Sequence, residues 1–369
     1  MALHRGRGIA TIEYPTGMNQ GGDPSQAWIK IKPDGHVDVF SGTVDVGQGS
    51  KTVHTQIAAD MIGVPYEWVT MSNADTDTSP VSFGTFASRG TFIDGNAIAV
   101  AAYRARGRLL ELAGRMLEVD PADLDIAEGE VTVRGAHEKT VSVAAVAATA
   151  SWQYGEMIVG SGAWMFPHVE PDKETGECEP HAAISYASCV AEVEVDDETG
   201  EVVVTRLIQV YDVGRAINPT LVEGQIQGGA VMGLGLALLE ESYPYYPELA
   251  HRAPELGFYA APAMDDLPTL RNVVLEDADP VGPFGAKAIG EMANNGQSPA
   301  IVAAIHDAVG IWVTELPARP ERVLRALDER RQPRADGKRV IFDEHLSVAA
   351  VSPPERRPEG GWSFPLVSG

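Results

Sequence analysis

Four glycine-rich segments and one glutamate hold the residue types in this chain that could do chemistry. In VDVGQGS, Gly47 and Gly49 flank Gln48 just ahead of a helix-like stretch. Glycines there allow a bend with outward N–H groups, and Gln48 adds an amide, so the turn suits an anion. An ordinary strand-to-helix connection has the same composition. In SFGTFASRGT, residues 82–91, Gly84, Ala87 and Gly90 remove bulk while Thr85, Ser88, Arg89 and Thr91 supply donors. That combination fits close approach of a polar ligand, or a Ser/Thr turn before a helix. In DVGRAINPTLVEGQIQGG, residues 212–229, a turn at Asn218-Pro219 leads into a helix start carrying Gln225 and Gln227. Those amides either meet a ligand or find partners inside the fold.

The fourth segment, residues 282–310, sets Glu291 between a Gly/Ala-rich loop and a helix, beside Ile289, Gly290 and Met292. A carboxylate desolvated by such neighbours is raised toward the range of a general base. The plainer alternative is an acidic residue near a helix N-terminus. Two familiar phosphate motifs fail. GTVDVGQGSKT lacks the glycine that a P-loop needs directly before its lysine, because Ser50 stands between Gly49 and Lys51. Gly233-Leu234-Gly235 lies in an apolar helical stretch with no third glycine at Rossmann spacing.

These segments must be positioned by ordinary elements, and the chain of 369 residues is long enough for two packed lobes. Alternation on both sides of Pro33-Asp34-Gly35 predicts a hairpin over residues 28–40, and a second hairpin turns at Asp197-Glu198-Thr199-Gly200. Helices are expected over residues 94–117, with Asp94 as N-cap, and over 141–149, 221–240, 299–309 and 320–328. Residues 151–182 read as a loop-like seam. The expected division is a first lobe over 1–150, a second over 151–332 bearing Glu291, and a C-terminal arm over 333–369.

Composition narrows the function classes. With 28 basic against 52 acidic residues and a net charge of -24, the chain repels nucleic acid and anionic membranes. Cys178 and Cys189 alone cannot hold an iron–sulfur cluster that needs four thiolates. No apolar run reaches the roughly 20 residues of a membrane span, and a cytoplasmic location is the default reading.

Taken in order, VDVGQGS, FGTFASRGT, DVGRAINPTLVEGQIQGG and GAKAIGE resemble the C-terminal, molybdopterin-binding half of the large subunit of the xanthine dehydrogenase and aldehyde oxidase family, over residues 6–330. The resemblance implies an α+β fold of two lobes, mixed β-sheets with packed helices. It implies molybdopterin in the cytosine dinucleotide form, with molybdenum held by the pterin dithiolene and no side chain as metal ligand. Gly47, Gln48, Gly49, Thr85, Ala87, Ser88, Gln225 and Gly290 would contact this cofactor, and Arg89 its phosphates or base. Glu291 would be the catalytic general base on the Mo–OH group, in hydroxylation of an N-heterocycle or aldehyde carbon with water-derived oxygen.

The same resemblance sets two departures. Met292 stands where many relatives have proline, which alters the expected wall beside the base. The N-terminal half of the usual large subunit is missing, so a partner chain is expected to bring it, as in nicotinate dehydrogenase-like enzymes. Further partners would carry [2Fe–2S] clusters and FAD. The competing readings are a structural subunit without chemistry, against which Glu291 argues, and an NTPase, against which the absent P-loop glycine argues.

Overall fold

The computed structural model describes residues 3–18, 22–166, 170–178, 181, 183–241 and 259–331, with the backbone of a short strand pair, Glu355–Arg356 and Trp362–Ser363. Apart from that pair, the expected C-terminal arm lies outside the described residues. The chain runs β1 (Leu3–Pro15), β2 (Ser25–Ile31), β3 (Val37–Ser41), α1 (Ser50–Ile62), β4 (Val69–Ser72) and α2 (Gly95–Leu117). It continues through β5 (Leu124–Ala127), β6 (Glu130–Val133), β7 (Ala136–Ser142), α3 (Val143–Thr149), β8 (Ile158–Trp164), β9 (Ile184–Asp196) and β10 (Val202–Asp212). Last come α4 (Pro219–Leu238), β11 (Thr269–Leu275), α5 (Gln297–Val309) and α6 (Pro320–Arg331). This is the mixed α+β architecture expected.

One sheet has the order β4-β3-β2-β8 and a second β1-β9-β10-β11, and the antiparallel β5-β6-β7 forms a small third. Both predicted hairpins form: Trp28 pairs with Phe40 across β2 and β3, and β9 pairs with β10 around the turn at residues 197–200. The first core gathers Ile29, Val39, Ile57, Ile98, Leu109 and Leu112; the second gathers Val193, Leu207, Leu234, Ile301, Ile305 and Val323. Among the described residues no helix is long and apolar enough to cross a membrane.

Three expectations need correction. The lobes do not part at residue 150: β1 joins the second-lobe sheet beside β9, while β8 returns to the first-lobe sheet beside β2. The seam expected to be loop contains β8, in which exposure alternates strictly but the inward positions are Ile158, Gly160 and Gly162. Glycine replaces the apolar residues that would have announced a strand, because α2 lies directly on it. Asp94 does stand at the N-cap position of α2, but with helical backbone angles and no capping hydrogen bond: it ends a π-helical turn, Gly90–Asp94, and its carboxylate is buried.

The same close packing recurs in the second lobe. A Cβ at Gly160 or Gly162 would sit 2.0 Å or 2.1 Å from the carbonyl oxygens of Ala101 or Ala97 in α2. A Cβ at Gly6 or Gly8 would sit 2.1 Å from those of Ala304 or Ala300 in α5. Gly8→Ala is therefore expected to force α5 off β1 and to destabilise by about 1–3 kcal/mol or more. Gly107→Ala, at an exposed α2 position where a Cβ meets nothing within 4 Å, should stabilise by up to about 1 kcal/mol. Thermal unfolding of the two variants checks both signs.

Candidate functional site

The VDVGQGS loop joins β3 to α1, with Gly47 and Gly49 at φ 113° and 82°. Their N–H groups do not stay open for an external anion. Gly47 and Gly49 donate to Asp45 Oδ1 at 2.9 and 3.2 Å, and Lys51 donates to Oδ2 at 3.0 Å. The loop thus closes on its own carboxylate beside the α1 N-terminus, where orphan donors favour negative charge. Burial pushes the Asp45 carboxyl up, but the N–H groups of Lys51, Gly47 and Gly49 outweigh it and hold the group below the usual carboxylate range. Gln48 also folds inward, donating to Val44 O at 2.9 Å and Ser50 Oγ at 3.1 Å and accepting from Val46 N–H at 2.6 Å. What the loop presents outward is space: a Cβ at Gly47 would meet nothing within 4 Å.

Thr85 ties the second segment to this loop, since its Oγ1 accepts from Val44 N–H at 2.9 Å and donates to Val44 O at 2.8 Å. Ala87 and Ser88 both have positive φ, 47° and 49°, at roughly 1–2 kcal/mol for each non-glycine residue. That backbone aims Ser88 at the fourth segment. Arg89, expected at a dinucleotide phosphate or base, is instead wholly buried. Its Nε donates to Asp23 at 2.6 Å and its Nη1 to Asp94 at 2.9 Å. Further bonds reach Ser82 Oγ at 3.0 Å, Gly84 O at 2.9 Å and Pro24 O at 3.0 Å. The guanidinium ties loops together inside the first lobe, with these bonds all going to protein atoms.

The third and fourth segments are paired with each other. Lys287 Nζ meets Asp212 Oδ2 at 2.6 Å, Lys287 N–H donates to Val213 O at 2.8 Å, and Arg215 N–H donates to Gly285 O at 2.8 Å. Asn218 caps α4 by accepting from Leu221 N–H at 3.1 Å and donates to Gln56 of α1 at 3.1 Å. Gln225 is half-buried and its amide makes no hydrogen bond among the described residues, whereas Gln227 is exposed and donates to Glu223 at 3.2 Å.

Glu291 opens a single 3-10 turn, Glu291–Asn294, that precedes α5 and is separate from it. Its carboxylate is exposed in this chain rather than desolvated as expected. The Tyr14 hydroxyl donates to Oε2, Ser88 Oγ donates to the same oxygen at 3.2 Å, and Glu291 N–H donates to Ser88 Oγ at 3.0 Å. Met292, expected in the wall beside the base, is fully buried behind the turn with Ile12, Tyr211, Val213 and Ile226. Beneath the turn, Tyr211 Oη and Gln297 Nε2 both donate to Ala293 O, at 3.1 and 2.9 Å. Ser185 Oγ of β9 donates to Ala288 O at 3.0 Å, fixing the approach to Glu291.

All four segments border one open cleft, walled by Gln48, Thr91, Arg215, Asn218, Gln225 and Lys287, with Ile289 beside the Glu291 turn. Amides, a hydroxyl and the exposed cation of Arg215 suit a phosphorylated, hydrogen-bonding heterocycle. The free Gln225 amide and the open space at Gly47 leave room and a donor for one, so the residues fit such a group. Among the described residues no three His, Cys, Asp or Glu side chains converge as a metal site. Sequence reasoning misses Asp45, Asp23, Tyr14 and Lys287. Asp45 stands at Asx-turn spacing from Gly47, a local signal. Tyr14 and Asp23 give none, because their partners lie 277 and 66 residues away.

A family model described as molybdopterin cofactor-binding domain matches residues 2–268. The probable hypoxanthine oxidase XdhD of Escherichia coli K12 is 36% identical over 328 residues, 88% of this chain and 32% of that protein. The nicotine 6-hydroxylase large subunit of Paenarthrobacter nicotinovorans is 34% identical over 304 residues, 81% of this chain and 36% of that one. The chain thus spans about a third of the length of these curated relatives. Quinoline 2-oxidoreductase from Pseudomonas putida 86 superposes with a TM-score of 0.76 at 30% identity, covering 89% of this chain and 42% of its own. Aldehyde oxidoreductase from Desulfovibrio desulfuricans gives 0.72 at 30% identity, covering 88% and 32%.

The Asp45 nest yields a test with a defined sign. A carboxyl held low in the folded state stabilises above its unfolded pKa, about 3.9 for aspartate, and loses that contribution as pH falls through the folded value. Asp45→Ala is expected to cost about 1 kcal/mol near pH 7. Urea unfolding should show the gap from wild type closing below about pH 4; a gap independent of pH would contradict the nest.

Proposed function

Because the chain belongs to the molybdopterin cofactor-binding domain family, homologous to large subunits of the xanthine dehydrogenase and aldehyde oxidase family, we propose that it is the glutamate-bearing, cofactor-holding part of a molybdenum-dependent hydroxylase. The observation that carries this reading is the meeting of four sequence-distant segments at one cleft, with Glu291 just beyond Ile289 on its wall. When bound, the cofactor supplies the two-electron redox chemistry by which a water-derived oxygen enters a substrate carbon.

In this proposal the chain binds molybdopterin in its cytosine dinucleotide form. Gly47 and Gly49 allow its close approach, Gln48 braces their loop, and Thr85, Ala87, Ser88, Gln225 and Gly290 supply neutral contacts. Arg215, exposed at the cleft, takes the phosphate role that burial denies Arg89. Glu291 is the general base: it accepts the proton that the attacking oxygen must lose, which a positioned carboxylate does effectively at short range. Some relatives are named for hypoxanthine, nicotine or quinoline and others for aldehydes; we take an N-heterocycle as the leading substrate class and an aldehyde as the second.

The relatives are about three times longer than the matched region, which leaves a remainder of the large subunit outside it. We assign that remainder to a second chain that covers the exposed face of Glu291, with [2Fe–2S] and FAD partners receiving the electrons in a cytoplasmic complex. Glu291→Gln keeps shape but removes the base. The assembled complex should retain its molybdenum, while turnover falls by about 100- to 10,000-fold; near-normal turnover refutes the assignment. Mass and metal analysis of the purified wild-type complex should find the remaining large-subunit segment together with iron and flavin.

A further inference from the structure

The contacts at Glu291 fall on one oxygen only. Tyr14 Oη and Ser88 Oγ both donate to Oε2, and Oε1 has no hydrogen-bond partner among the described residues. A carboxylate held this way keeps one oxygen as a fixed hinge and presents the other. Resting on the reading of Glu291 as the base, we propose that Tyr14 is a positioning residue that clamps Oε2 so that Oε1 is the atom receiving the substrate-side proton.

Tyr14 is placed for this by the sheet rather than by its own surroundings. It lies near the end of β1 and pairs across the ladder with Ser185 of β9. Ser185 holds Ala288 O and Tyr14 holds Glu291, so two cross-strand neighbours grip the same segment at its two ends. The far end of β1 is seated on α5 through Gly6 and Gly8, and α5 begins just after the turn that carries Glu291. Strand, helix and glutamate are therefore tied together by direct contacts. Ser88 reaches the same oxygen from the other sheet's loop, so the clamp joins both lobes.

The phenol stays protonated over the working range. Burial first, then the hydrogen bond and charge of Glu291, push Tyr14 up to about 12, against a smaller opposing effect of Ser88. It keeps its proton while Glu291 cycles, and the proton taken at Oε1 leaves the Tyr14 bond at Oε2 in place.

Two measurements on the full chain decide the matter. First, 3-fluorotyrosine at position 14 is titrated by fluorine NMR with and without Glu291→Gln. Removing the neighbouring charge is expected to lower the phenol midpoint by about one pH unit, while Glu13→Gln, on the exposed face of the same strand, leaves it in place. A midpoint indifferent to Glu291 overturns the proposal, and this readout needs neither cofactor nor partner. Second, Tyr14→Phe in the assembled enzyme should lower kcat by about 10- to 100-fold, the loss of one charge-assisted hydrogen bond, with KM and molybdenum content little changed. An unchanged kcat, or a loss confined to KM, also overturns it. Should Glu291→Gln retain turnover while the fluorine midpoint shifts, the base assignment fails and the clamp has no catalytic role.

Discussion

Contact between the backbone of a helix and the backbone of a strand is the constraint on which this structure rests. In α2 the row Ala97, Ala101 and Ala105, and in α5 the row Ala300, Ala304 and Ala308, each lie on a strand with glycine at alternate positions. Dispersion decays steeply with any gap, so such seats gain energy only where neither surface carries bulk. The functional side chains inherit their places from these seats. The strand carrying Tyr14 is held by α5, and α2, held on β8 and β2, anchors the end of the loop that brings Ser88.

A second constraint keeps that loop in shape. Arg89, Asp23 and Asp94 form a fully buried ion cluster, in which two carboxylates face one guanidinium and serine hydroxyls complete the hydrogen bonding. Desolvating three charges is costly, and removal of Arg89 leaves both carboxylates buried without a counter-charge, typically a loss of about 3–5 kcal/mol. The cluster immediately precedes α2 and follows Ala87 and Ser88, whose positive φ needs such over-determination to persist. Interior electrostatics thereby hold a strained backbone that faces Glu291.

Local neutrality explains how a chain of net charge -24 can offer a cleft for an anionic group. Lys287 is matched by Asp212 at the cleft wall, and the Asp45 carboxylate is absorbed by three backbone N–H groups. Arg215 and the neutral amides of Gln225 and Asn218 are what the cleft presents. Acidic residues elsewhere act over distances that salt screens within about 8–10 Å.

The sequence by itself determined the elements whose signals are local. Alternation and turn residues announced both hairpins, and the glycine, amide and hydroxyl content of four segments marked them as candidates for facing a ligand. The strand at residues 158–164 was hidden because its inward side chains are glycines, so no apolar alternation exists to read. Tertiary structure alone decided what each marked residue does. Arginine at position 89 has the right type for a phosphate, yet Asp23, 66 residues away, draws it into the interior. Tyr14 shows no local sign of function and meets Glu291 across 277 residues. Residue type is a property of one position, while charge pairing and burial belong to the whole packed chain.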